Sequence, residues 1–139
     1  MARTGTAETK GAPRGVTFTF DTGMLIALER RKRRAWEAFR AIVRRGLLPV
    51  VPAVVCVEWW RGLSNTREEI LRAVIVEDMP PPLWRAAGEA LGVVRGASLA
   101  DAVVMASAAL RGGGVVYTSD VADLTRLQCH FPTVLVLPV

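Results

Sequence analysis

Five short apolar runs, each separated from the next by helix-forming sequence, constrain the fold more than any other feature of the chain. They are VTFTF at 16–20, LLPVV at 47–51, AVIVED at 73–78, GVVYT at 114–118 and TVLVL at 133–137. Near-continuous apolar strands joined by helices imply a parallel sheet covered on both faces. The predicted fold class is therefore α/β, a three-layer α/β/α sandwich with a mainly parallel central sheet. The intervening segments support it. Helices are expected over 22–29 and over 33–45, the second with Trp36, Phe39, Ile42 and Val43 on one face, Arg33, Glu37, Arg40 and Arg44 opposite, and Gly46 as its stop. Pro52 suits the first position of a helix through Arg61, and Thr66 with Glu69 forms a capping-box pattern. Further helices are expected over 83–94, from Ser98 to Leu110, and over 120–128.

A chain of 139 residues fits one domain with a proper core, and 51% hydrophobic composition argues against global disorder. Residues 1–14 are polar and without periodicity, and are expected to be a flexible N-terminal extension to a single domain over 15–139. No apolar run reaches the ~18–20 residues that cross a bilayer, and MARTGTAETKGAPRG has no signal-peptide core. Cys56 and Cys129 are too few for a disulfide framework and form no metal-binding pair. The expectation is a cytoplasmic protein with reduced thiols and no membrane partner. His130 is the lone histidine, which argues against a His-based zinc site or a Ser-His-Asp triad.

Eighteen basic residues against thirteen acidic ones leave a net charge of +5, and only Lys10 and Lys32 are lysine. Arginine forks match phosphate oxygens, and a basic surplus favours polyanions through counterion release. The block ERRKRR at 29–34 makes Arg30, Arg31, Arg33 and Arg34 candidate RNA-binding residues. The same block reads equally well as a solvated helix junction.

The acids are few and pointed in their placement. Asp21 and Asp120 both follow an apolar strand, Asp21 directly after Phe20 and Asp120 after Thr118-Ser119, and both precede a helix. In a parallel sheet those positions share the carboxyl edge, where α/β folds place ligand-binding groups. Glu58 is the only charged residue between Pro52 and Trp60, and Asp101 the only one in a helix apolar or small almost all round. A helix as apolar as the one bearing Glu58 is expected to be buried, where a carboxylate is costly unless paired or bound to a cation. Each acid also has a plainer role. Asp21 and Asp120 suit helix N-caps, Asp101 sits three residues after Ser98 and Asp123 three after Asp120, and Glu58 has Arg61 at i+3. Trp59 and Trp60 read as packing residues. Four carboxylates at one strand-end cleft would repel one another. A hard divalent cation, Mg²⁺ or Mn²⁺, would relieve that repulsion and activate a water for phosphodiester hydrolysis.

The segments FDTGMLIALE, VPAVVCVEWWRG, SLADAVVMASAA and VVYTSDVADL, in that order, resemble the PIN domain, and more narrowly the VapC-type toxin ribonucleases of bacterial toxin–antitoxin pairs. The resemblance covers about residues 15–139. It implies that Asp21, Glu58 and Asp101 are the core catalytic and metal-binding acids, with Asp120 the more variable fourth and Asp123 a weaker assistant. Thr118 matches a hydroxyl residue that orients a carboxylate or water, and Thr22 is a second supporting hydroxyl. Gly23 stands where many members carry Asn or Ser. The implied activity is Mg²⁺- or Mn²⁺-dependent endoribonuclease action on RNA, by a homodimer silenced by a cognate antitoxin. The alternative is a PIN-like module that binds RNA or protein without cutting.

Two rivals fail on residues. A receiver-like phosphoacceptor needs an acidic pair after its first strand and a late lysine, and no lysine lies beyond Lys32. A dinucleotide fold needs a glycine-rich strand-to-helix turn, whereas RGGGVV at 111–116 leads into a strand.

Overall fold

The five apolar runs become five parallel strands. The structure, a computed structural model, describes residues 15–139 and the backbone of Arg3–Thr4. That pair is β1; the five strands are β2 (Phe18–Phe20), β3 (Val50–Pro52), β4 (Ile75–Glu77), β5 (Gly114–Thr118) and β6 (Val134–Pro138). The sheet order is β1-β4-β3-β2-β5-β6, parallel throughout. Apart from β1, the extension expected over residues 1–14 lies outside the described residues. The helices are α1 (Thr22–Glu29), α2 (Arg33–Arg44), α3 (Ala53–Trp59), α4 (Asn65–Leu71), α5 (Pro81–Val93), α6 (Leu99–Leu110) and α7 (Val121–Gln128). Helices α2, α3 and α4 gather around α1, while α5 and α7 flank α6. Right-handed crossovers put these two groups on opposite faces of the sheet. No helix among the described residues is long and apolar enough to cross a membrane.

This order places a switch point between β2 and β5. From β2 the chain turns through α1 and α2 toward β3; from β5 it turns through α7 toward β6 on the other side. The two strands are neighbours, with Phe20 opposite Tyr117. Where strand order reverses, the connections diverge and leave a crevice at the carboxyl ends. Asp21 and Asp120 stand at its two lips.

The core is built where the apolar pattern predicted it. Phe20, Met24, Leu25 and Leu28 are fully buried, as are Met105 on α6 and Leu124 on α7. On α2, Trp36, Phe39 and Ile42 face inward, but Val43 is 41% exposed. Trp36 donates its Nε1 proton to the Leu28 carbonyl at 2.8 Å, tying α2 to α1. Local signals differ from expectation at two helix starts. Pro52 ends β3 and caps α3 rather than opening the helix. The α4 cap is Ser64, whose hydroxyl accepts from Arg67 N, not Thr66; Thr66 and Glu69 instead accept from Arg31. The glycine run is a turn. Gly112, Gly113 and Gly114 all have φ between +92° and +106°, and a side chain at Gly113 or Gly114 would collide with Thr133 or Thr17 of the adjoining backbone.

A buried ion pair lies beneath α6. Arg111 donates to Glu77 Oε2 at 3.1 Å, to Ser107 Oγ at 2.8 Å and to Thr19 Oγ1 at 2.6 Å, and Ser107 donates to the other oxygen of Glu77. The two charged side chains are only 8% and 10% exposed. Removing one partner of such a pair strands the other charge in the interior, which costs about 3–5 kcal/mol, whereas replacing both with apolar residues is often neutral. Arg111→Met is therefore expected to lower the unfolding free energy in urea by about that amount, and Arg111→Met with Glu77→Leu to recover most of it.

Candidate active site

The acids at the crevice are held by helix capping. Asp21 follows β2 directly, in extended conformation, and its Oδ1 accepts from Met24 N at 2.8 Å. Asp120 caps α7, its Oδ1 accepting from Asp123 N at 3.4 Å. Asp101 sits in the first turn of α6, where its N–H donates to the Ser98 hydroxyl at 3.1 Å. The capping roles read from sequence are thus real for all three. They do not compete with a site role, because capping uses one carboxylate oxygen or only the backbone of the acid.

Thr118 stands beside two of the acids. Its hydroxyl accepts from Asp120 N at 2.9 Å and lies close enough to the Asp21 carboxylate to favour its ionised form. Thr22 serves Glu58, donating to its Oε1 at 2.6 Å. Both hydroxyl residues expected to support the site therefore contact acids of the site.

Asp21 is the anomalous member. It is 7% exposed, with no basic partner among the described residues. Burial pushes its carboxyl from 3.8 up to about 6; the bonds from Thr118 and Met24 oppose the rise, and the charges of Asp101 and Asp120 add to it. Asp101 is raised as well, first by burial, then by Asp123, Glu58 and Asp120, with Ser98 opposing. All five predicted acids therefore lie within electrostatic reach of Asp21 or Asp101. Asp123 is also drawn toward Arg126 at 3.8 Å on the same helix.

Glu58 departs from expectation. It is exposed, as is Val57 beside it at 75%, while Val55 and Trp59 face the core. An exposed carboxylate carries no burial cost, and Glu58 accepts from Thr22 at 2.6 Å. The expected pairing with Arg61 is not made; Arg61 donates instead to the Trp60 carbonyl at 2.7 Å.

Of the four arginines in the basic block, all exposed, two are engaged. Arg31 has φ +57°, the left-handed value a residue just past a helix end adopts. Its side chain bonds Glu69 at 3.2 Å and stacks on Trp36 at 4.9 Å. Arg33 pairs with Glu37 at 2.8 Å. The block spans the junction between α1 and α2. Arg30 and Arg34 have no carboxylate partner among the described residues.

Sequence reasoning missed Ser119. A Cβ at Gly23 would overlap the Ser119 hydroxyl, so the space beside Gly23 is filled from the neighbouring strand end. The only signal was its place between Thr118 and Asp120.

The donor set fits a hard divalent cation by its chemistry: carboxylate oxygens, one of them buried without a counter-charge, repelling one another. Among the described residues no three His, Cys, Asp or Glu side chains are gathered as a ready ligand cage. Mg²⁺ does not require one, since it keeps several waters and takes one or two carboxylates directly.

A family model described as PIN domain matches residues 18–127. No curated protein sequence matches the chain. Among solved structures, VapBC2 from Rickettsia felis, bound to a DNA fragment from their promoter, superposes with a TM-score of 0.69 at 9% identity, covering 88% of this chain and 98% of that one. FitAB bound to the IR36 DNA fragment superposes with a TM-score of 0.61 at 12% identity, covering 88% and 94%. At such identities the likeness is one of fold.

Proposed function

This chain belongs to the PIN-domain family, and from that premise we propose that it is a divalent-metal-dependent endoribonuclease, the toxin of a toxin–antitoxin pair. The observation that carries the reading is Asp21: a buried carboxyl with no cationic partner among the described residues, raised by burial and by Asp101 and Asp120. Such a group is destabilising unless something positive binds beside it. A basic chain around an acidic crevice suits a polyanionic substrate cut at a metal.

In this reading Asp21, Glu58, Asp101 and Asp120 would hold Mg²⁺ or Mn²⁺, with Asp123 a weaker assistant. The ion, when bound, lowers the pKa of an attacking water and offsets charge on the phosphoryl oxygens. The chain's own part is positioning. Met24 N fixes the Asp21 carboxylate, the Thr118 hydroxyl beside it fixes the Asp120 backbone, and Thr22 fixes Glu58.

The partners belong to the same proposal. VapBC2 and FitAB support an antitoxin partner. Val57, Trp60 and Leu63, all exposed near Glu58 in sequence, give an antitoxin segment apolar surface to cover. A homodimer and a cytoplasmic location complete the reading. The alternative is a PIN-like module that binds RNA or protein without cutting. A mixed RNA pool incubated with Mn²⁺, with Mg²⁺ and with EDTA separates the two. Cleavage with either ion and none in EDTA is expected. Equal binding without cleavage in all three would leave a binding module.

A further inference from the structure

Beside the acidic crevice, and sharing Glu58 as a wall, lies an open cleft of about 340 Å³ between α1, α3 and α4. We infer that this cleft is a subsite for the phosphodiester of a nucleotide flanking the cleaved bond in single-stranded RNA, held by Arg30 and Arg61. The inference rests on the nuclease reading for what lies next door, and on the cleft itself for the rest.

The charges lining it decide the sign of the ligand. Three arginines and two glutamates contribute: Arg30, Arg61 and Arg67 against Glu29 and Glu58. Glu29 and Arg67 neutralise each other through a direct bond between Glu29 Oε2 and Arg67, with side chains only 27% and 16% exposed. The remaining Glu29 oxygen accepts from Trp59 Nε1 at 2.9 Å, and Arg67 also donates to the Gly62 carbonyl at 2.9 Å. That buried clamp forms the inner wall and has no charge to offer. Glu58 accepts from Thr22 at one oxygen and keeps its negative charge. Arg30 and Arg61 are left exposed at the rim with no carboxylate partner among the described residues. Arg61 spends one nitrogen on the Trp60 carbonyl, and the rest of its fork is free. Two guanidinium groups without carboxylate partners outweigh the one remaining wall carboxylate, Glu58, and favour an anion, and the fork geometry suits phosphate oxygens.

The walls also say which part of a nucleotide enters. Trp59 is 3% exposed and its ring nitrogen is committed, so it offers no face for a base to stack on. The cleft reads backbone charge, not base identity. Its volume is at the small end of ligand pockets, which suits one nucleotide unit of a single strand better than a duplex. A strand whose scissile phosphate sits at Asp21 passes Glu58 and enters this cleft with its next phosphate.

The test uses the full chain in EDTA, so that binding is read without cleavage. Anisotropy of a short fluorescein-labelled oligouridylate gives Kd across a KCl series for the parent, Arg30→Gln, Arg61→Gln and the double variant. Arg85→Gln, an exposed arginine on α5, is the control. Each rim variant is expected to weaken binding several-fold, and the slope of log Kd against log salt should flatten by about 0.7 for each phosphate no longer neutralised. Melting temperatures should match the parent, and the rise on adding Mn²⁺ should be retained. Slopes unchanged in both rim variants, or flattened equally by Arg85→Gln, would overturn the subsite and leave the rim to a protein partner or to bulk charge. Parent cleavage of RNA with unchanged rim-variant slopes would sink the subsite alone. Flattened slopes with no cleavage by the parent would keep RNA phosphate binding at the cleft and overturn its place beside a cleaved bond, together with the nuclease reading.

Discussion

Asp21→Asn is expected to abolish Mn²⁺-dependent RNA cleavage while making the metal-free protein more stable. The two halves have separate causes. Asparagine caps a helix about as well as aspartate, so the bond from Met24 N at 2.8 Å survives and the start of α1 is kept. What is lost is a charge that the fold buries at a cost. A carboxyl shifted from 3.8 to about 6 disfavours folding, once ionised, by up to about 3 kcal/mol. Removing it should raise the melting temperature of the EDTA-treated protein at pH 7. Activity moves the other way. Losing a principal anionic ligand forfeits several kcal/mol of charge stabilisation at the reacting phosphate, a fall on the order of 10³-fold or more. A saturating Mn²⁺ addition should stabilise the parent by about 2.7 kcal/mol at a hundredfold excess over Kd, roughly 10 °C for a domain of this size, and the variant far less. Thermal melts of both proteins with and without Mn²⁺, beside cleavage of a mixed RNA pool, read all three effects. A variant that cuts at the parent rate would reduce Asp21 to a helix cap.

Asp21 and Asp120 advertise themselves in the sequence. Each closes an apolar strand and opens a helix, and this pattern also made the five strands legible. The order in which strands lie side by side is not written in any such local pattern. Strands β2 and β5 are neighbours although nearly a hundred residues and two other strands separate them in the chain, and it is this adjacency that brings Asp120 to Asp21. Glu58 exposes a second limit. An apolar helix at the edge of a cleft can turn Val57 and Glu58 to solvent while Val55 and Trp59 anchor it. Composition alone cannot say which turn of such a helix is covered.

Long-range polar pairs were the least legible. Arg111 and Glu77 are 34 residues apart, and Arg67 and Glu29 are 38 apart. Neither pair has a periodicity to announce it, since each is specified only once the sheet and helices have packed. The same holds for Ser119 filling the space beside Gly23. The basic block shows the converse. Its charge was plain, but charge did not say that Arg31 would be tied to Glu69 and Trp36, or Arg33 to Glu37, leaving Arg30 as the one that lines a cleft.

Stability of the metal-free protein is expected to fall as pH rises from about 4 to above 6, opposite to the behaviour of a carboxylate in a salt bridge. The folded-state pKa of Asp21 is raised, so between 3.8 and about 6 the folded chain binds more protons than the unfolded one. Stability therefore declines with pH over that window. The contribution is fully present below the unfolded value and lost as pH climbs through the folded one. Asp101 is shifted the same way and adds to the slope. Urea unfolding in EDTA at a series of pH values should give a drop of up to about 3 kcal/mol attributable to Asp21. Asp21→Asn should remove most of that slope and leave the smaller part due to Asp101. Adding Mn²⁺ should reverse the trend, because carboxylates bind the ion only when deprotonated, so the gain in melting temperature grows as pH rises through about 6. A parent whose metal-free stability is flat or rising from pH 4 to 7 would mean that Asp21 is not held uncompensated in the fold, and the strongest physical reason for an ion at the crevice would be gone.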